Sequence, residues 1–184
     1  MNKFIKLPLY LAIVGALTTA ALATVHQFTA PIIAENIIKA EEAALQELFE
    51  GAISVVLDEE PEHKFDKNEE KSGLVSLFIV SQDDTILGYV YKSSVVGYKG
   101  GVITFLISIS PDGVYNGYKV VTMQDQTSGI GTKVADADFY EQFLDKEITS
   151  VSEIVKLDGA TITTQPVVDA IKAATQHFSA HIKQ

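Results

Sequence analysis

The run "VITFLISIS" (Val102–Ser110), the turn residues Pro111-Asp112-Gly113 and the run "VYNGYKVVTM" (Val114–Met123) decide how this chain folds. In the first run Ile103, Phe105, Ile107 and Ile109 recur at every second position, the period of a half-buried strand. A proline–aspartate–glycine turn is short, and short turns join strands antiparallel. Working outward, Leu74–Val80 and Thr85–Val96 are also rich in β-branched and aromatic residues, and "SQDDT" separates them as a hairpin turn would. Downstream, Asp136–Lys146 reads as a helix with Phe139, Phe143 and Leu144 on one face. A last helix runs from about Pro166, at its first turn, to His181. Its buried stripe is Val167, Val168, Ala170, Ile171, Ala174 and Phe178. The charged stretch "DEEPEHKFDKNEEKSG" (residues 58–73) reads as a solvated loop. These elements predict an α+β domain, an antiparallel sheet with helices packed on it.

Composition narrows the function. The chain has 184 residues, room for one sizeable domain. Fourteen basic residues, all lysine, face 24 acidic ones, for a net charge of -10. Such a surface repels phosphodiester backbones and argues against nucleic-acid binding. With no cysteine, disulfides, thiolate-ligated iron–sulfur clusters and a lipidated cysteine anchor are excluded.

From Leu7 to Ala34 there is no Asp, Glu, Lys or Arg, and Leu7–Val25 is dense in aliphatic residues. Nineteen helical residues rise about 28 Å, close to the roughly 30 Å of a bilayer's hydrocarbon core. Lys3 and Lys6 precede this run and a strongly acidic chain follows it. The positive-inside rule therefore predicts a cytoplasmic N-terminus and an extracytoplasmic main domain. A cleaved signal peptide is the competing reading, since Ala21-Leu22-Ala23 resembles a cleavage site; the length of the apolar run favours a retained anchor. After Pro31, Ile33, Ile37, Ile38, Ala44, Leu45, Leu48 and Phe49 recur at helical spacing between glutamates, up to Gly51. This acidic amphipathic helix suits docking against the domain or a neighbouring subunit better than lying on an anionic membrane. The expected segments are residues 1–29 (N-terminus and transmembrane anchor), 30–51 (juxtamembrane helix) and 52–184 (soluble domain).

Motifs for independent catalysis are missing. There is no Gly-x-Ser-x-Gly elbow and no Gly-Lys-Ser/Thr phosphate loop. His177 and His181 have metal-ligand spacing, but no acidic third ligand lies near them in sequence, so they read as exposed histidines and no metal is expected. Three glycine- and hydroxyl-rich stretches are more informative. "LDGATITTQP" (Leu157–Pro166) sets Gly159 and Ala160 before Thr161, Thr163 and Thr164, where small side chains admit a bulky group. A helix start near Thr163–Pro166 would favour a phosphate, although a plain turn with threonine caps is the better reading of these residues alone. "GYKGG" (Gly97–Gly101) offers Tyr98 among glycines at a strand entry. "DQTSGIGTK" (Asp125–Lys133) adds Thr127, Ser128, Gly129, Gly131 and Lys133.

In this order, behind one N-terminal apolar helix, the three stretches resemble the FMN-binding domain of the G subunit of Rnf-type ion-translocating electron-transport complexes. The C subunit of the sodium-translocating NADH:quinone reductase shares that domain. The resemblance covers nearly the whole chain. In that family the threonine closing a Ser/Thr-Gly-Ala-Thr motif carries FMN through a phosphoester, attached by a flavin transferase; here that threonine is Thr161. Thr127-Ser128-Gly129-Ile130-Gly131 resembles the family's Thr-Pro-Gly-Leu-Gly loop, with Ser128 in place of proline. Asp158 stands where Ser/Thr is usual, and Val155 where an acidic residue is common. The resemblance implies an electron-relay subunit that works with other membrane and peripheral subunits in ferredoxin-to-NAD electron transfer coupled to ion translocation. It implies no substrate-converting site of the subunit's own. The alternatives are a stand-alone membrane-anchored FMN-binding module and a structural subunit without flavin.

Overall fold

In the computed structural model, residues 3–49, 53–83, 85–123, 131–155, 157 and 159–183 are described. Two compact units divide at Lys39. The first, Met1–Lys39, is helical: it holds the greater part of α1 (Lys3–Leu48), with Pro8 and Pro31 inside it. Its apolar side chains, Leu11, Leu17 and Leu22 among them, are exposed. Thr18, Thr19, Thr24 and Thr29 return their hydroxyls to carbonyls one turn back, which satisfies those polar groups within the helix itself. This helix is long and apolar enough to cross a membrane.

The second unit, Ala40–Gln184, is built on a five-stranded meander in which every neighbouring pair is antiparallel. Its strands are β1 (Ser54–Leu57), β2 (Leu74–Gln82), β3 (Thr85–Val96), β4 (Val102–Ile109) and β5 (Tyr115–Met123). The four long strands fall where alternation and turn chemistry place them. The short β1 has too few residues to show a period. β3 and β4 pair in unbroken register from Tyr89 opposite Ile109 to Val96 opposite Val102.

The pleat separates two cores. On one face Tyr91, Ile103, Phe105, Ile107 and Ile109 are sealed under α4 (Thr161–His177), through the predicted stripe Val167, Val168, Ala170, Ile171, Ala174 and Phe178. On the other face Val80, Val90 and Leu106 meet Ala44, Leu45 and Phe49 from the end of α1. The end of the acidic leader, from Glu41 to Phe49, therefore docks on its own domain. Two ion pairs fix it there: Lys92 with Glu41 at 2.5 Å and Lys119 with Glu47 at 2.6 Å. Gly117 lies beneath this contact, where a Cβ would come within 2.9 Å of Leu48 Cδ2. Burying each large apolar side chain here contributes roughly 1.5–3 kcal/mol.

Three expectations are corrected. The segment 58–73 is not a plain loop. It holds a single 3-10 turn (Pro61–His63) and α2 (Lys67–Lys71), whose N-terminus is closed by a reciprocal capping box between Asp66 and Glu69. Asp58, sequestered at its start, pairs with His63 Nδ1 at 2.7 Å. The helix expected over Asp136–Lys146 shortens to α3 (Ala137–Tyr140). Beyond it the chain turns through Asp145 (φ 60) so that Tyr115 can exchange backbone hydrogen bonds with Asp145 and Lys146. Finally, α4 begins at Thr161 rather than near Pro166. Pro166 lies inside the helix and only removes a hydrogen bond to the carbonyl of Ile162, a residue that faces water.

Candidate functional site

The early start of α4 sets the geometry of the "LDGATITT" stretch. Leu157 accepts from the Ala160 N–H at 3.1 Å, and Gly159 takes φ +76, a conformation that other residues rarely adopt. Ala160 is buried and acts as the N-cap residue. Its carbonyl accepts from the N–H groups of both Thr163 and Thr164 at 2.9 Å, and from the Thr164 hydroxyl at 3.1 Å. The three threonines therefore differ sharply. Thr163 and Thr164 point into the core, 2% and 0% exposed, whereas Thr161 at the first helical position faces solvent. The N–H groups of Thr161 and Ile162 have no acceptor among the described residues. Such a helix start carries partial positive charge and free donors, the setting in which phosphates bind.

A cleft of about 410 Å³ opens in front of this turn, lined by Tyr98, Gly131, Gly159, Ala160, Thr161, Ile162 and Thr163. Its volume lies within the usual range for cofactor pockets. All three singled-out stretches reach it. Tyr98 arrives from the single turn Tyr98–Gly100 between β3 and β4, and Gly131 from the turn Gly131–Ala135. A Cβ built on Gly159 would meet nothing within 4 Å, so the wall is open at the residue before the Ala–Thr pair. Lys133 follows Gly131 on the same turn but does not line the cleft. Thr127, Ser128 and Gly129 lie outside the described residues, as does Asp158.

Sequence reasoning missed two neighbours of the cleft. Ile162 is an apolar side chain, 64% exposed beside Thr161 on the cleft wall. Lys99 takes φ 55 and holds its ammonium 5.3 Å from the centroid of the Tyr98 ring. The signal for Lys99 was its place between Tyr98 and two glycines. Ile162 carried none, because its exposure depends on where the helix starts.

At the far end of α4 the histidine expectation is corrected. His177 is buried, not exposed. The Tyr91 hydroxyl donates to its Nδ1 (3.0 Å), and its Nε2–H donates to the His63 carbonyl (3.1 Å). Burial pushes the His177 imidazole below its usual pKa, despite the opposing charge of Glu69.

Comparison with known proteins covers the same region. Residues 2–48 match the RnfG N-terminal region, and residues 97–176 match the FMN-binding domain, a span that runs from the Gly97 strand entry through the Thr161 turn. The chain is 32% identical over 108 residues to the G subunit of the ion-translocating oxidoreductase complex of Methanosarcina acetivorans, covering 55% of this chain and 56% of that one. It is 26% identical to the G subunit of the Na(+)-translocating ferredoxin:NAD(+) oxidoreductase complex of Acetobacterium woodii, over 94% and 90% of the two chains. It is 23% identical to the G subunit of the proton-translocating ferredoxin:NAD(+) oxidoreductase complex of Clostridium ljungdahlii, over 97% and 93%.

Proposed function

We propose that this chain is a G subunit of a Rnf-type ion-translocating oxidoreductase complex and carries FMN as an electron relay on Thr161. It is part of a membrane-bound oxidoreductase that works with the other subunits of the complex, and it has the FMN-binding domain. The attachment through Thr161 Oγ1, the roles of the lining residues and the extracytoplasmic side of the domain are our inference.

One observation carries the attachment. Of the three threonines in "GATITT", only Thr161 combines an exposed hydroxyl with a place on the cleft wall. A phosphoester on its Oγ1 would set the phosphate beside the amides of Thr161 and Ile162, at the positive end of α4. Gly159 and Ala160 would leave room for the ribityl chain. Tyr98 and Ile162 would offer apolar surface to a flat ring, and Gly131 would let it approach backbone. The flavin supplies the electron chemistry, while the protein sets its position and surroundings. The residues present therefore fit the group. The expected anchor (residues 1–29), juxtamembrane helix (30–51) and domain (52–184) complete the reading: a span that holds the domain at the membrane, and a tether that prevents loss of cofactor on the outer side. A flavin transferase would form the phosphoester.

In-gel flavin fluorescence after denaturation tests the reading against its two rivals. A fluorescent band at the size of this chain, co-purifying with polytopic membrane proteins in mild detergent, is expected. No fluorescence would favour a flavin-free structural subunit. A fluorescent chain recovered free under every gentle condition would favour a stand-alone module.

A further inference from the structure

Far from the cofactor cleft, three metal-ligating side chains gather at the C-terminal end of α4. His177 closes the helix, His181 sits in the π-helical turn Phe178–Ile182 that follows, and Glu69 comes from α2. One ligand atom from each lies within 4.8 Å of the other two. The two imidazoles lie with centroids 4.8 Å apart and planes tilted by 33°. Around a tetrahedral zinc ion, bond lengths of about 2.0–2.2 Å put ligand atoms roughly 3.3–3.5 Å from one another. His181 is exposed, so rotation of its side chain closes the remaining gap.

The surroundings prepare each ligand. The Tyr91 hydroxyl and the His63 carbonyl hold the His177 ring from both nitrogens. Coordination exchanges one of these bonds for a metal bond, and the other keeps the ring aimed, the usual outer-shell arrangement of a histidine ligand. Glu69 Oε2 accepts the Asp66 N–H at 2.7 Å, which fixes the carboxylate and leaves Oε1 for an ion. Two imidazoles and a carboxylate suit a borderline divalent ion such as zinc; calcium and magnesium favour all-oxygen shells.

We propose that Glu69, His177 and His181 bind a divalent transition-metal ion of the zinc type, with water completing its shell. The ion joins α2 to the end of the helix that starts at Thr161. In a chain with no cysteine, it supplies the cross-link that a disulfide would otherwise give. Seventeen helical residues place it about 25 Å from Thr161, so it is a structural clasp and not a partner in electron transfer.

The test uses the full-length chain in detergent, stripped with a chelator and titrated separately with zinc chloride and cobalt chloride. One zinc per chain, a raised unfolding midpoint and a visible cobalt d–d absorption band are expected. His181 is exposed, and E69Q keeps a side-chain acceptor for the Asp66 N–H, so H181A and E69Q both fold. Each lowers zinc affinity at least about tenfold. Absence of stoichiometric zinc uptake, or uptake unchanged in both variants, would overturn the site.

Discussion

The Tyr91 hydroxyl of β3 sits 3.0 Å from His177 Nδ1 at the end of α4, and His177 Nε2 in turn holds the His63 carbonyl at 3.1 Å. This buried chain joins the centre of the sheet, the last turn of the helix and the acidic segment 58–71. Phe65 closes over the imidazole edge-on at 4.9 Å. Tyr91→Phe leaves the Nδ1 acceptor without a donor in a site closed to water. It should destabilise the metal-free domain by about 1–3 kcal/mol. Tyr98→Phe, at an exposed hydroxyl, should change stability by less than about 0.5 kcal/mol. Urea unfolding in the presence of a chelator measures both; equal effects would break the assignment of the Tyr91 contact.

The opposite face of the sheet depends on the end of α1. Phe49 and Leu45 are buried against Val80, Val90 and Leu106, while the Lys119–Glu47 pair is largely exposed. Phe49→Ala should cost about 3–5 kcal/mol, as large-to-small changes in a packed core do. Glu47→Gln should cost less than about 1 kcal/mol, because water screens the pair. Chemical denaturation of the two variants checks the contrast. A small loss for Phe49→Ala would mean that the leader does not dock on the domain in solution.

Gly159 separates fold from cofactor. Its φ of +76 strains any side chain, yet a Cβ would have open space. Gly159→Ala should therefore cost only about 1–2 kcal/mol of stability. The same methyl enters the cleft wall beside Thr161, so flavin loading should fall well below wild type. Fluorescence per mole of folded protein gives the answer, and full loading in this variant would remove Gly159 from the cofactor's path.

The proposed sidedness of the domain rests on the charges that flank the apolar span, Lys3 and Lys6 before it and an acidic chain after it. Protease added to intact spheroplasts should digest the domain from about residue 40 onward. Protection until the cells are lysed would reverse the orientation.

Much of this was legible in the sequence because the signals are local. The Ile103–Ile109 alternation and the "SPDG" turn specify a strand and its antiparallel partner without reference to anything else. The stripe from Val167 to Phe178 likewise needs only the helical period. The misses are non-local. Pro166 suggested a helix start by a rule about first turns, but the Ala160 carbonyl, which receives two N–H groups and the Thr164 hydroxyl, sets the start earlier. His177 looked exposed near a chain end, yet its partners Tyr91, His63 and Phe65 all come from distant segments. Glu69 was invisible as a companion to the histidines for the same reason. Of the candidate site, Tyr98, Gly131 and the Gly159–Thr161 turn were marked by composition, and the fold brings them to one cleft.

Peptide mass spectrometry of the purified chain tests the central claim most directly. An FMN-phosphate adduct should map to Thr161 alone. Thr161→Val keeps the β-branched shape and should fold while losing the covalent flavin. Thr163, on the cleft wall but only 2% exposed, and Thr164, fully buried, should remain unmodified. An adduct on either of those two, or undiminished covalent loading in Thr161→Val, would contradict the account.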